Sequence, residues 1–87
     1  MIKVTALEDS VTLEIEDQNE LLISPLLKIN MATNGSYVGK NIYIIGVTTT
    51  IAAASLTAVL VGKVASIYFY EVKLSNFVKV YQKGNQL

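Results

Sequence analysis

Cysteine, histidine, tryptophan and arginine are all absent from this sequence of 87 residues, and proline occurs once. Without cysteine the chain can form neither a disulfide nor a thiolate metal site. Without histidine it lacks the side chain that most often acts as a base near neutral pH. No serine or threonine has a partner in sequence that would activate it as a nucleophile. The composition therefore predicts a non-enzymatic protein with no cofactor and no metal site.

Charge is also scarce, because only 16% of the residues are charged, against about 25% in ordinary globular domains. The seven acids and seven lysines are separated along the chain. Six of the acids lie in the first twenty residues: Glu8, Asp9, Glu14, Glu16, Asp17 and Glu20. Six of the lysines follow from Lys28 onwards, with Glu71 as the only acid among them. The opening "MIKVTALEDS" lacks the basic start and apolar run of a secretory signal, so none is expected.

Residues 1–40 form the acidic N-terminal region, which we predict to be a small meander of short strands. Apolar and polar side chains alternate in "IKVTAL" and "VTLEIE", as in half-buried strands. Pro25 suits an edge strand or the start of a strand, and Asn34-Gly35 is typical of a tight hairpin turn. An amphipathic first helix is the competing interpretation.

Residues 41–84 are predicted to form one long helix, with residues 85–87 as a tail. Asn41 is a suitable N-cap and Gly84 a suitable residue after the last turn, and no proline interrupts residues 42–83. The helix divides into an apolar span, 42–62, and a basic amphipathic extension, 63–83. The predicted fold class is thus a membrane-type α protein with a small N-terminal β region.

The apolar part of this helix has the length of a transmembrane span. Residues 42–62 are 21 uncharged residues, enough to cross a hydrocarbon core of about 30 Å. Tyr43 lies at one end and Tyr68 beyond the other, as in interfacial belts. We therefore expect a membrane or virion location, with the lysine-rich C-terminus on the cytoplasmic or interior side. The alternative is a helix buried within a soluble assembly.

Small residues recur at every fourth position through this stretch, and we call them the small-residue ribbon. On a helix, four-residue spacing keeps such side chains on one face, where a second helix can approach closely. The ribbon consists of Gly46, Thr50, Ala54, Ala58, Gly62 and Ser66. It predicts helix–helix packing.

Four lysines in the C-terminal part are interleaved with aromatic residues: Lys63, Lys73, Lys79 and Lys83. They are suited to contact lipid headgroups beside a span or nucleic-acid phosphates. An ordinary solvated helix face is the simpler interpretation.

An acidic N-terminal part, an uncharged middle and a basic end make the layout similar to that of filamentous-phage major coat proteins. The resemblance implies a coat-like structural role, with helices packed on one another and the basic end near the genome. The sequence thus predicts a structural subunit that assembles with itself through its apolar helix, such as a virion coat protein or filament subunit. One alternative is a single-span accessory subunit that contacts other membrane helices in a larger complex. The second is a small soluble domain whose helix is buried by oligomerisation.

Overall fold

The chain forms one five-stranded sheet with two helices packed on one of its faces. The computed structural model describes residues 1–84. The strands are β1 (Ile2–Ala6), β2 (Ser10–Ile15), β3 (Asn41–Ile45), β4 (Ser66–Glu71) and β5 (Asn76–Gln82). The helices are α1 (Pro25–Thr33) and α2 (Thr50–Leu60), and short 3-10 turns span Gln18–Leu22 and Val72–Leu74.

The strands lie in the sheet in chain order. The central strands β2, β3 and β4 are parallel, and each parallel step is made by a helix, α1 or α2. The outer strands β1 and β5 pair antiparallel with their neighbours. Side chains of α2 such as Leu56 and Leu60 are fully buried with Leu13 and Ile44 of the sheet. One face of the sheet is therefore covered by the helical layer.

The predicted long helix over residues 41–84 is wrong, and so is the fold class built on it. Within residues 41–84 the structure has one helix, α2, of 11 residues, flanked by the strands β3, β4 and β5. Those strands are rich in β-branched and aromatic residues, as in "NIYII" and "SIYFYE". The run lacks charge because β3 alternates the buried Ile42 and Ile44 with Tyr43 and Ile45 on its other side, and because the uncharged helix α2 follows. Gly46 and Gly62 adopt φ of +96° and +88° on either side of α2, which ends the helical conformation.

The predicted membrane span is also wrong. No helix within residues 1–84 is both long enough and apolar enough to cross a bilayer. The transmembrane interpretation of residues 42–62, the membrane or virion location and the orientation of the C-terminus are corrected accordingly. The proposed tail, 85–87, lies outside the described residues.

The N-terminal region agrees with the sequence pattern only in part. Strands β1 and β2 occupy the two alternating segments and pair as a hairpin. The segment around Pro25 is helical, because proline suits the first turn of a helix. Asn34 and Gly35 have the expected positive φ, 55° and 78°, but they end α1. Asn41 begins a strand, where a helix cap was predicted.

Candidate functional site

The sheet face opposite the helices carries a cluster of four aromatic rings, which we call the aromatic cluster: Tyr43, Tyr68, Tyr70 and Phe77. Ile42 and Ile44 point into the core, so Tyr43 between them points to the uncovered face. Tyr43 stacks on Tyr68 with ring centroids 4.4 Å apart and planes inclined by 11°. Phe77 meets the rings of Tyr43 and Tyr70 edge-on, at 5.1 and 5.3 Å.

The rings of the aromatic cluster contact mainly one another. One face of Tyr68 lies against Tyr43, and the ammonium group of Lys79 is 5.6 Å from the centre of the same ring. Partial burial, together with the adjacent Tyr68 phenol, raises the pKa of Tyr43 above its ordinary value of 10.0. Base stacking by a single-stranded nucleic acid needs free ring faces. At Tyr43 and Tyr68 this packing leaves little free ring face for a base.

The N-terminus of α2 lies at the carboxyl end of β3, where α/β proteins commonly bind anions. Here the Oε1 atom of Gln18 accepts hydrogen bonds from the backbone N–H groups of Thr48 at 2.8 Å and Thr49 at 3.1 Å. The Thr49 hydroxyl accepts from Ala52 N as the helix cap. An amide of the chain itself therefore occupies the position that an anion would take.

Beside this helix end, a groove of about 600 Å³ runs between α2 and the β4–β5 hairpin. Its floor includes Phe69 and Val78, and Lys73 lies near one end. The groove exists because the two helices do not extend over the helix-facing side of β5. Within residues 1–84, no group of three or more acidic side chains is placed to hold a metal ion.

The surface of the helical layer that faces away from the sheet is apolar, and we call it the outer helical face: Leu27, Met31, Ile51, Ala54 and Ala58. All five side chains are exposed, and Leu27, Met31 and Ile51 retain 58%, 75% and 68% of their accessible surface. In the sequence between residues 21 and 62, only Lys28 and Lys40 carry charge. The ammonium group of Lys28 donates a hydrogen bond to the carbonyl oxygen of Glu20.

The structure brings together half of the small-residue ribbon. Thr50, Ala54 and Ala58 lie on successive turns of the exposed side of α2. Gly46 and Gly62 lie in the turns that flank α2. Ser66 is buried at the start of β4, where its hydroxyl donates to Asn41 Oδ1 at 2.6 Å.

The four lysines predicted to contact lipid or phosphate do not form one surface. Lys63 and Lys83 are near each other, since Lys83 N donates to the carbonyl of Ala65. Lys73 lies in the β4–β5 turn at the opposite end of the sheet, and Lys79 lies over Tyr68 on the uncovered face. A phosphate or headgroup role for these residues stays a prediction.

Three parts of this arrangement were missed by sequence reasoning. The aromatic cluster could have been found from the alternation of Tyr68 and Tyr70 within one strand, had that segment been treated as β. The contribution of α1 to the outer helical face was missed because the sequence pattern around Pro25 predicts a strand there. The bonds of Gln18 to the loop before α2 have no signal in sequence.

Comparison of the chain with protein-family models, curated proteins and solved structures finds no match of any of the three kinds.

Proposed function

We propose that this protein is a non-enzymatic structural subunit that assembles with copies of itself through the outer helical face. The observation that carries the proposal is the composition of α2. It has no charged residue, and it exposes Ile51, Ala54 and Ala58 on the side away from the sheet. A helix without charge and with apolar residues on its outer side normally packs against another surface. Within residues 1–84 of a single copy, that side of α2 has no cover.

The shape of this face favours a second copy as its cover. Thr50, Ala54 and Ala58 form a shallow groove along α2, because their side chains are small. Ile51, the next residue after Thr50, is exposed and projects beside that groove. Helices pack by placing the ridges of one into the grooves of the other. A surface that carries both a groove and the ridges that fit it can pack against the same surface of a second copy across a two-fold axis.

The area that a stable dimer needs is a small part of the surface of this chain. A standard interface buries about 800 Å² per partner, which is about one seventh of the 5473 Å² of accessible surface of this chain. The molecule measures 34 × 31 × 22 Å, and the helical layer forms one of its two broad faces. The face has almost no charge, so it offers nothing to a strongly acidic or basic partner.

The test is the mass of the purified protein in solution, measured by sedimentation, for two matched variants. Ile51→Glu places a charge on the outer helical face, and it should keep the fold because acidic residues suit the first turn of a helix. Leu7→Glu is the control, since Leu7 is equally exposed, at 64%, but lies in the β1–β2 hairpin. We expect Ile51→Glu to reduce the association state and Leu7→Glu to leave it unchanged.

A second variant tests the shallow groove that Thr50, Ala54 and Ala58 form on α2. Ala58→Leu fills the space between the two helices and should weaken association, because overpacking costs about 1–3 kcal/mol per site. Gly62 also belongs to the small-residue ribbon, but Gly62→Leu is unsuitable as a further test, because φ at Gly62 is +88° and any side chain there is strained. Ala54→Leu takes its place. If Ile51→Glu and Ala58→Leu each associate as fully as the parent, the proposed interface is disproved. If the parent is monomeric and associates only when another protein is added, the outer helical face binds that protein and not a second copy.

A further inference from the structure

Strand β5 is an edge of the sheet, and within residues 1–84 the features that limit further pairing along it are Lys79 and the bulge at Val80. Edge strands expose unpaired backbone N–H and C=O groups, and proteins normally cover or shorten them. At the other edge, β1 has five residues, contacts α1, and packs Ile2 and Val4 against the core. Strand β5 has seven residues without proline or glycine. Its helix-facing side borders the open groove, and Val78 and Val80 remain 39% and 50% exposed.

We infer that β5 pairs antiparallel with β5 of a second copy, with Val78 on the two-fold axis. This interface lies apart from the outer helical face and does not rest on it. Two identical strands can pair across a two-fold axis perpendicular to the sheet only antiparallel. Opposed residues must also point to the same face. The axis must therefore pass through a residue of β5, and the neighbouring candidates are Phe77, Val78 and Lys79.

The chemistry of β5 selects among these three positions. An axis at Lys79 would place two ammonium groups directly opposite each other, which destabilises strand pairing. An axis at Phe77 would leave Lys79 opposite Ser75, whose φ of 49° is outside the strand conformation. An axis at Val78 pairs residues 77–79 within the regular part of β5 and sets Asn76 opposite Val80 at the bulge. It also sets Lys79 opposite Phe77 of the second copy, where an ammonium group and an aromatic ring attract each other.

The irregularity at the end of β5 agrees with this register. Ile67 pairs with Tyr81 and Tyr68 with Lys79, so Val80 is an extra residue in the ladder. A bulge bends its strand and limits pairing beyond it. The regular part of β5 thus ends at Lys79, and in the proposed register the ladder ends one residue later, where Val80 at the bulge lies opposite Asn76.

Because the chain contains no cysteine, single introduced cysteines report the register directly. Directly opposed residues have Cβ atoms about 4.5–5.5 Å apart, close to disulfide geometry. Val78→Cys should therefore form a covalent dimer under mild oxidation, measured by non-reducing electrophoresis. Val38→Cys is the control, because Val38 is well exposed in the turn before β3. Val80→Cys should not cross-link to itself but should cross-link to Asn76→Cys when the two proteins are mixed.

The experiment is repeated with Ile51→Glu added to each cysteine variant. Cross-linking that persists in this background establishes the β5 interface independently of the outer helical face. Cross-linking of Val78→Cys no greater than that of Val38→Cys, together with no product from the Val80→Cys and Asn76→Cys mixture, would overturn the inference. Self-cross-linking of Val80→Cys at the rate of Val78→Cys would overturn the register. Circular dichroism of each variant confirms that the sheet is retained.

Discussion

At the scale of single residues, Gly46 is the position where the backbone leaves least freedom. Its φ is +96°, and a Cβ atom there would lie 2.1 Å from the carbonyl oxygen of Ile15. Sequence reasoning assigned Gly46 to a helix-packing ribbon. The structure gives a different reason for a glycine, because the end of β2 approaches this turn too closely for any side chain.

Gly46→Ala should therefore lower the free energy of unfolding by about 3–5 kcal/mol, from the strained φ and the clash together. Gly35→Ala is the matched control. Gly35 also has a positive φ, 78°, but no atom lies within 4 Å of the added Cβ, so the expected loss is about 1 kcal/mol. Urea unfolding midpoints compare the two. Equal losses in both variants would contradict the close approach of Ile15.

Tyr43 gives a pH dependence whose sign follows from its surroundings. Burial and the neighbouring Tyr68 phenol raise the pKa of Tyr43 above 10.0 in the folded protein, whereas the unfolded chain keeps about 10. The folded state thus holds the proton to higher pH, and the stability from this group is present below about pH 10 and lost as pH rises through the folded pKa. The parent should lose more stability than Tyr43→Phe as pH rises above about 10, as measured by urea unfolding. Parallel pH profiles would contradict this assignment.

At the scale of elements, the start of α2 depends on a residue from another segment. Gln18, in the turn after β2, accepts from the N–H groups of Thr48 and Thr49, and its own Nε2 donates to the Thr48 hydroxyl at 2.8 Å. These bonds fix the loop between β3 and α2 against the turn after β2. The same contact leaves the helix end without its usual capacity for anions.

Gln18→Leu removes these bonds and should destabilise the protein by about 1 kcal/mol, because water can replace them at an exposed site. Gln18→Glu retains an acceptor and adds a negative charge at a helix N-terminus, which compensates for the lost donor. Its stability should be close to that of the parent. Hydrogen exchange of the Ala52 and Ala53 amides measures the effect on the first turn. Equal protection in Gln18→Leu and Gln18→Glu would show that the acceptor has no part in ordering the helix.

How far each element could be predicted depended on whether its pattern was unique to one secondary structure. Strands β1 and β2 alternate cleanly, and they were placed correctly. The run from β3 through α2 is apolar on both sides, and periodicity alone does not separate a buried strand from a buried helix. The breaks at Gly46 and Gly62 depend on tertiary contacts and on φ, which sequence spacing does not reveal. Thr50, Ala54 and Ala58 of the small-residue ribbon do lie on one exposed side of α2, and their role in helix packing stays a prediction.

At the scale of the whole molecule, the uncharged residues 42–62 divide between the core and the surface. Six residues of this run are buried in the core between sheet and helices: Ile42, Ile44, Val47, Ala52, Leu56 and Leu60. Three others, Ile51, Ala54 and Ala58, belong to the outer helical face. A chain of this length buries a smaller share of its surface than larger domains do, so apolar residues left outside have few places to go within one copy. In the proposed assembly a second copy would supply this cover. The run resembles a membrane span because residues 42–62 carry no charge.

The two proposed interfaces together predict the size of the assembly. The outer helical face pairs copies across an axis parallel to the sheet, and β5 pairs them across an axis perpendicular to it. Two different two-fold interfaces on one subunit give either a closed tetramer or an open polymer, so the parent protein should be larger than a dimer. Ile51→Glu should leave dimers joined through β5. Val78→Lys, which sets two like charges opposite each other at the axis, should leave dimers joined through the helices. The double variant should be monomeric by sedimentation velocity, because both surfaces are then charged. A parent that sediments as a monomer would contradict both interfaces. If the parent is a dimer and only one of the two substitutions abolishes it, only the interface that this substitution disrupts is supported.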